Sequence, residues 1–455
     1  MNLRLVLYLI TNFFIAFNLH ADFLENTVLY ASQKYQENIP IFRNVSICKK
    51  IVQTTNYTNN NQNIFKEDKF FQKIKRSISF ADKEIIISTY GVNYKEGAIP
   101  KALNFISDGI QELKKRLEND PNAPVVNIYF LADHNFINKS GNYMRNLGLF
   151  DSPSSKIKIS TKIYDHKLFG STHSKVFIID GQVGMITGAN ILEGHFRESK
   201  WFDQAVWAHS QNLWLYVRNN IFKPLWEKGS LVNNVEQILP LNLNSIEDRK
   251  HLSIPCLPKN RALAKIALFA SKRNKLNLTN TLNKNRSKGI LSSIENARNN
   301  IKIFSPNFNA DHPVSAIKKL LIKGVNVKIM VNSSEHKNIR KPIFEGKNSK
   351  EIYKELLKFI KQKKPSGRLE FKYFSRDGNT AALKSLENTS HSKFMAIDNK
   401  AIILGSSNMD PQSWYRSGET DYLIGPENPN DKFVENIIKY GFDKIWKNAV
   451  NINIQ

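Results

Sequence analysis

Two segments of this chain carry the same chemically capable residues at the same spacing. "THSKVFIIDGQVGMITGAN" (172–190) and "SHSKFMAIDNKAIILGSSN" (390–408) align without a gap at an offset of 218 residues. The matched residues are His173, Lys175, Asp180, Gly188 and Asn190 in the first segment and His391, Lys393, Asp398, Ser406 and Asn408 in the second. Imidazole, ammonium and amide groups all donate hydrogen bonds, and donors that converge on one point suit the equatorial oxygens of a phosphodiester.

Each segment has the pattern of a β-hairpin. Apolar runs flank the dipeptides at 180–181 (Asp-Gly) and 398–399 (Asp-Asn), which are signals for a two-residue turn. Side chains two residues apart share a strand face with their cross-strand partners, so each histidine should share a face with the lysine and the asparagine of its motif. In this register the opposed pairs are His173 with Gly188 and His391 with Ser406.

The aspartates of the motifs lie too far along the hairpins to reach the same phosphorus atom as the histidines. Seven residues of extended strand separate His173 from Asp180, which is about 23 Å at about 3.3 Å per residue. We count Asp180 and Asp398 with the catalytic motifs, but we interpret both as turn and register residues that support the scaffold.

One acidic residue follows each motif at a similar distance. Asp203 lies 30 residues after His173, and Glu419 lies 28 residues after His391. A carboxylate that accepts a hydrogen bond from one ring nitrogen fixes the tautomer of a catalytic histidine and supports its positive charge. We interpret each acid as orienting the histidine of its own motif. The alternative for either acid is an ordinary surface carboxylate.

The two H-x-K-x4-D motifs, which end in T-G-A-N and G-S-S-N, resemble the paired HKD motifs of the phospholipase D superfamily. The resemblance extends from about residue 70 to the C-terminus. It implies an α/β fold of two pseudo-twofold related α/β/α sandwich domains, with the active site at their interface. It also implies that the reaction needs no metal or other cofactor.

The resemblance further implies a ping-pong reaction through a phosphohistidine. In this sequence His173 would attack phosphorus, and His391 would protonate the leaving alcohol and later deprotonate the incoming water or alcohol. Imidazole suits these roles because its ordinary pKa is near 6.5. The groups expected to bind the phosphoryl oxygens are Lys175, Lys393, Asn190, Ser406 and Asn408.

A second, fainter repeat supports two halves. "SFADKEIIISTYGV" (79–92) resembles "ENARNNIKIFSPNF" (295–308) at an offset of 216 residues. Helix patterns at 101–119 and 314–324 each precede a strand pattern, at 125–133 and 325–333. Helix followed by strand in both halves predicts a mostly parallel sheet covered on both faces.

The predicted domains are 22–258, with the first motif, and 290–455, with the second. Residues 259–289 between them hold nine Lys and Arg and no acid. We interpret 259–289 as a basic linker whose middle could form a short helix. The alternative to a solvated linker is a basic patch that binds phosphates or headgroups beside the site.

The charge of the chain favours phosphate-bearing partners. Lys and Arg number 66 against 40 Asp and Glu, which gives a formal net charge of +26. Such a field concentrates nucleic acid or anionic lipid headgroups around a protein. The alternative is that the excess reflects the residue usage of a proteome rich in Asn, Lys and Ile.

The N-terminal residues have the pattern of an export signal. A basic start at Arg4 leads into an apolar stretch, Leu5 to Phe17, and then to a small residue at Ala21. We predict a signal peptide at 1–21 and a protein exported across the inner membrane, periplasmic or secreted; the alternative is an uncleaved anchor. The two cysteines, Cys48 and Cys256, exclude a disulfide-rich scaffold, and the sequence leaves open whether they pair.

Three kinds of function fit these residues. The leading hypothesis is an exported, monomeric phospholipase D that cleaves or transfers the phosphatidyl group of phospholipids at a membrane surface. The alternatives within the superfamily are a metal-independent nuclease that acts on nucleic acid and a cardiolipin synthase-like phosphatidyltransferase. A binder without activity is disfavoured because both motifs are intact.

The segment "NMDPQSWYRSGE" (408–419) bears on the last alternative. It resembles the N-x-D-x-R-S-x-x-x-N-x-E tail of bacterial cardiolipin synthase-like members. It departs from that tail at Gln412, which stands where the tail has Arg, and at Ser417, which stands where the tail has Asn.

Overall fold

A computed structural model describes most of the chain outside the N-terminal segment and several intervening stretches. The predicted signal peptide, 1–21, lies outside the described residues. These are 22–53, 69–89, 101–133, 155–164, 173–190, 201–233, 256, 258–272, 282, 285–333, 347–380, 383 and 388–453.

Seventeen strands and ten α-helices make up the described part of the chain. The strands are β1 Ile41–Cys48, β2 Val52–Gln53, β3 Glu84–Thr89, β4 Val126–Asp133, β5 Ile157–Tyr164, β6 Val176–Ile179, β7 Val183–Thr187, β8 Gln204–His209, β9 Ser230–Asn233, β10 Arg261–Ser271, β11 Asn300–Phe304, β12 Asn326–Val331, β13 Leu369–Tyr373, β14 Phe394–Ile397, β15 Ala401–Gly405, β16 Glu419–Pro426 and β17 Val450–Asn451. The helices are α1 Phe23–Tyr35, α2 Lys69–Ser79, α3 Lys101–Glu118, α4 Gln211–Val217, α5 Lys223–Lys228, α6 Asn285–Glu295, α7 Asp311–Ile322, α8 Ser349–Lys363, α9 Phe433–Ile438 and α10 Lys444–Trp446.

The two halves have the same strand order. In the first half the order is β5-β4-β3-β6-β7-β8, and in the second it is β13-β12-β11-β14-β15-β16. This repetition confirms the predicted α/β class with two related domains. The expectation of a mostly parallel sheet is wrong, however, because only the first three strands of each order pair in parallel and each hairpin adds antiparallel strands.

The helices cover these sheets in layers. Helices α2 and α3 pack on the outer face of the first half, and α1, α6, α7 and α8 pack on that of the second. Helices α4, α5 and α9 share a single apolar core with strands of both halves. Trp214 of α4 and Tyr422 of β16 meet in this core with ring centroids 6.2 Å apart. The halves are therefore bound by a common core as well as by the sheet.

The interpretation of 259–289 as a basic linker is wrong for Arg261–Ser271. These residues form β10, which pairs antiparallel with β1 of the first half and with β16 of the second, so it joins the two sheets. From the sequence, Lys265 of this strand is expected to be a solvated linker residue. In the fold, Lys265 Nζ donates to the carboxylates of Asp22 (2.6 Å) and Glu25 (3.1 Å), which balance its charge.

The N-terminal helix also crosses the predicted domain boundary. Helix α1 lies within the range assigned to the first domain, yet it packs in the apolar core of the second, where Leu24 and Ala31 are fully buried. Asp22 caps this helix by accepting the N–H of Glu25 at 2.9 Å. Helix α1 therefore packs as part of the second half.

Both predicted hairpins form, but their register is one residue different from the prediction. A two-residue turn would pair Ile179 with Gln182, whereas Ile179 pairs with Val183. Likewise, Ile397 pairs with Ala401 and not with Lys400. Each loop does contain a two-residue turn: its two central residues have positive φ, 52° and 67° in the first loop and 52° and 55° in the second, and Gln182 N–H donates to Ile179 O (3.0 Å) as Lys400 N–H donates to Ile397 O (2.9 Å). The residue after each turn, Gln182 or Lys400, is left outside the strand pairing, which shifts the pairs by one residue. The predicted opposition of His173 to Gly188 and of His391 to Ser406 is therefore wrong.

The motif aspartates bind the start of a neighbouring strand. The Asp180 carboxylate accepts the backbone N–H groups of Asp82, Lys83 and Glu84 at 2.7–2.9 Å. The Asp398 carboxylate accepts those of residues 298, 299 and 300 at 2.7–2.9 Å. Because these are the segments of the fainter sequence repeat, each aspartate ties its hairpin to the strand beside it.

A disulfide settles the pairing that the sequence left open. Cys48 at the end of β1 is bonded to Cys256, with the two Cα atoms 6.1 Å apart. The bond links β1 to the chain just before β10, so it lies next to the pair of strands that joins the halves. Within the described residues, no helix is both long and apolar enough to cross a bilayer.

Asp180→Asn should destabilise the fold. Burial raises the pKa of Asp180 to about 6, against the effect of its three N–H donors, so at pH 7.5 the group is a buried carboxylate. The amide replaces one acceptor oxygen by a donor that faces N–H groups, and we expect a loss of about 2–3 kcal/mol in the free energy of unfolding in urea. Asp108→Asn, on the exposed surface of α3, is the control; an equal, small loss in both variants would contradict the structural role.

Candidate active site

The ends of the two hairpins bring the motif histidines together. His173 precedes β6 and His391 precedes β14, and their ring centroids lie 6.1 Å apart with an angle of 72° between the ring planes. Backbone hydrogen bonds across the interface hold each residue: the His173 N–H donates to Gly418 O and the His391 N–H to Phe202 O, both at 2.7 Å. One phosphate can lie between rings at this separation.

Both predicted acids contact a histidine, but each acid contacts the histidine of the other half. His173 Nδ1 lies 2.9 Å from Glu419 Oε2, and His391 Nδ1 lies 2.9 Å from Asp203 Oδ2. The prediction that each acid serves the histidine of its own motif is therefore wrong. The reason is geometric, because the segment just before each acid contacts the other half: Phe202 forms a parallel bridge with Ser390, and Gly418 O accepts the N–H of His173.

These contacts define the tautomer of His173. Its Nδ1 faces two acceptors, Glu419 Oε2 and the carbonyl oxygen of Ser406, also at 2.9 Å. Nδ1 must therefore carry the proton, so Nε2 is unprotonated when the ring is neutral. Burial lowers the pKa of His173, with Lys175 and Lys393 adding to the effect and Glu419 opposing it. The ring is thus neutral near pH 7.

Glu419 is held by three side chains. Its Oε2 accepts from His173 and from Ser406 Oγ (2.5 Å), and its Oε1 accepts from Ser413 Oγ (2.7 Å). Burial alone would raise the pKa of this carboxyl, but His173, Lys175 and Arg286 outweigh burial and lower it to about 2. Glu419 is therefore a fixed negative charge at any pH at which the protein is handled.

Two lysines lie beside the rings. Lys175 Nζ donates to His173 O at 2.6 Å, and Lys393 Nζ donates to His391 O. Both residues are buried, at 2% and 4% exposure. Burial lowers the pKa of Lys393 to about 8, although Asp203 and Glu419 favour its charged form. Two buried ammonium groups next to the histidines can neutralise the charge that develops on the phosphoryl oxygens of a phosphodiester.

The remaining predicted phosphate-binding residues differ in their placement. Asn190 is buried just beyond β7, and Asn408 is half-buried beyond β15. Ser406 is already engaged: its hydroxyl donates to Glu419 and accepts the N–H of Thr420 at 2.9 Å. Its only proton is used, so the assignment of Ser406 to phosphate binding is corrected to support of Glu419.

Some site residues were not found from the sequence. Ser413 binds the second oxygen of Glu419, and the N-x-D-x-R-S tail could have identified it. Arg286 is fully buried and donates to Ser407 Oγ and to Ser413 O (2.6 Å). Nothing local marks Arg286, because it lies among nine cations in the segment interpreted as a linker. Among the described residues, no group of three or more His, Cys, Asp or Glu side chains is arranged to bind a metal ion.

This geometry supports the class of protein that the motifs predicted. Residues 290–446 match the family model described as "Cardiolipin synthase, PLD-like domain". The match covers 157 of the 455 residues, includes the second motif, and agrees with the resemblance of that motif to the phospholipase D superfamily.

Two curated relatives extend the match. The chain is 24% identical over 294 residues to a cardiolipin synthase of Halalkalibacterium halodurans, which is 62% of this chain and 48% of the relative. It is 24% identical over 299 residues to a cardiolipin synthase of Alkalihalophilus pseudofirmus, with 64% and 49% covered. The matched region therefore spans about half the length of these relatives.

A solved structure shows the same fold over nearly the whole chain. It is the phosphatidylserine synthase of Haemophilus influenzae Rd KW20, with a TM-score of 0.62, 15% sequence identity, and 94% of this chain and 92% of that chain covered. At this identity the likeness concerns the fold alone.

The tautomer and charge of His173 can be tested by NMR. In protein labelled with ¹⁵N-histidine, long-range ¹H–¹⁵N spectra at pH 7 should show His173 as the neutral Nδ1–H tautomer, with a pKa below its ordinary value because the ring is buried. Assignment uses His173→Gln. A ring protonated at pH 7, or one that carries its proton on Nε2, would contradict the contacts with Glu419 and Ser406.

Proposed function

We propose that this chain is a phosphatidyltransferase of the cardiolipin synthase kind, which moves a phosphatidyl group from a phospholipid to an alcohol through a phosphohistidine. The single observation that carries the proposal is the pair of facing imidazoles, each with its Nδ1 bound by a carboxylate of the other half. The family match and the named relatives favour transfer over the hydrolysis that was the leading hypothesis.

The first step uses the differences between the two rings. His173 is neutral with Nε2 unprotonated, so Nε2 attacks phosphorus and forms a P–N bond. The P–O bond to the leaving alcohol breaks, and the departing oxygen takes a proton from Nε2 of His391. The ammonium groups of Lys175 and Lys393 balance the charge on the phosphoryl oxygens.

The second step reverses the first with another alcohol. The neutral His391 removes the proton of the acceptor hydroxyl, whose oxygen attacks phosphorus and displaces His173. Glu419 and Asp203 hold the rings in place during both steps, since each binds an Nδ1–H that does not take part. When the acceptor is phosphatidylglycerol the product is cardiolipin, and when it is water the product is phosphatidate.

The cellular location of the protein is also a proposal. We propose an exported protein that acts on a membrane surface, which fits the N-terminal signal pattern and the Cys48–Cys256 disulfide, because such bonds persist in oxidising compartments. The net charge of +26 would favour anionic lipid surfaces.

Purified protein should convert vesicles of phosphatidylglycerol to cardiolipin in the presence of EDTA, and ethanol should divert the product to phosphatidylethanol. His173→Asn and His391→Asn should each lower turnover by at least about a thousandfold, because each ring performs a step that the other cannot. His209→Asn, away from the site on β8, is the control. Digestion of DNA or RNA without turnover of any phospholipid would favour the nuclease alternative and contradict this proposal.

The buried lysine predicts an alkaline limit to activity. Lys393 has a pKa near 8 in the free protein, so it loses its charge as pH rises through that value, and kcat/KM should fall above about pH 8. Lys393→Arg keeps its charge to far higher pH and should move the limit upwards. If the variant is active and its alkaline limit stays unchanged, a different group sets the limit.

A further inference from the structure

One aromatic residue contacts a catalytic ring and has no part in the scheme above. Trp201 stacks on His391, with ring centroids 5.6 Å apart and 29° between the ring planes. The indole is half-buried, so it lies between the interior and solvent beside the ring. A cation within about 6 Å of the centre of an indole face is stabilised by the negative charge of that face.

The position of Trp201 is fixed by its neighbour. Phe202 is fully buried, and its ring stacks on Phe304 and Phe374 at 5.9 and 5.6 Å. The backbone of Phe202 accepts the N–H of His391 and donates to Thr389 O at 3.0 Å. Trp201 therefore lies next to His391 because of a rigid segment that also presents Asp203.

The other half lacks this ring. Two residues before Asp203 stands Trp201, and two residues before Glu419 stands Ser417. The equivalent segments otherwise make the same backbone contact: Gly418 O accepts the N–H of His173, and Phe202 O accepts the N–H of His391. The duplicated scaffold thus treats its two histidines differently at one position.

The charged groups around His391 oppose one another. Asp203 at Nδ1 favours a positive ring, whereas the ammonium of Lys393, bound to the carbonyl of the same residue, disfavours it. His173 faces it at 6.1 Å and adds repulsion only if it is protonated. The indole is a second group that favours the imidazolium, and unlike another carboxylate it adds no net charge beside a phosphate.

We propose that Trp201 is a positioning residue that stabilises the imidazolium form of His391 and so makes it the proton donor of the first step. The inference rests on the proposed function. In that step the Nε2 proton of His391 passes to the leaving oxygen as the P–O bond breaks and the bond from His173 to phosphorus forms. After the step His391 is neutral and ready to accept the proton of the second alcohol.

The test compares two leaving groups in the first step. A phosphatidyl ester of p-nitrophenol needs no proton donor, whereas an alkyl ester does. In Trp201→Leu, which keeps apolar bulk without an aromatic face, release of the alkyl alcohol in a single turnover should slow about tenfold, and the burst of nitrophenol should stay close to wild type. Trp201→Phe should lose less, and Ser417→Ala is the matched control in the other half.

Equal slowing of both esters in Trp201→Leu would overturn the proposal, because it would indicate a role in folding or substrate binding. A second measurement needs no turnover: by NMR, the pKa of His391 should fall in Trp201→Leu and stay closer to the wild-type value in Trp201→Phe. An unchanged pKa in Trp201→Leu would overturn the proposal as well. If wild-type protein cleaves neither ester while the pKa of His391 falls as expected, the proposed function is wrong and the stabilising contact stands.

Discussion

The crossed pairing of imidazole and carboxylate is the constraint on which the rest of the structure depends. His173 needs Glu419 and His391 needs Asp203, so neither half of the chain contains a complete site. A donor–acceptor distance of 2.9 Å in two crossed contacts tolerates little movement of one half against the other. The continuous sheet through β1 and β10, the common apolar core and the disulfide beside them all restrain that movement.

Much of the local structure could be predicted from spacing. Self-comparison of the sequence finds the two motifs and the fainter repeat, and the turn residues predict the hairpins. The contacts of Asp180 with the backbone of 82–84 connect the first motif to the fainter repeat, which were found separately. The register could not be predicted, because the shift arises after the turn: Gln182 and Lys400 stand outside the strand pairing, and the turn residues carry no signal for that. A one-residue change moves every cross-strand partner.

Contacts distant in sequence explain the other differences. Equal offsets from each histidine to an acid indicated that the acids matter, but a repeat places equivalent residues in both halves and does not say which acid meets which ring. Lys265 appeared solvated because its partners, Asp22 and Glu25, lie more than two hundred residues earlier. Arg286 was missed for the same reason, since its partners lie around residues 407–421.

Duplication gives two equivalent places for a histidine, whereas transfer through a covalent intermediate needs two different ones. The differences lie in small substitutions on a common frame. Ser406 supports Glu419, but its counterpart Gly188 has no room for a side chain, because a Cβ there would lie 2.6 Å from Lys393 Cδ and from Gly405 O. Trp201 against Ser417 is a second such difference. A neutral ring with two acceptors at Nδ1 suits attack on phosphorus, and a ring stacked on an indole suits proton donation, so the chemistry follows from where the symmetry is broken.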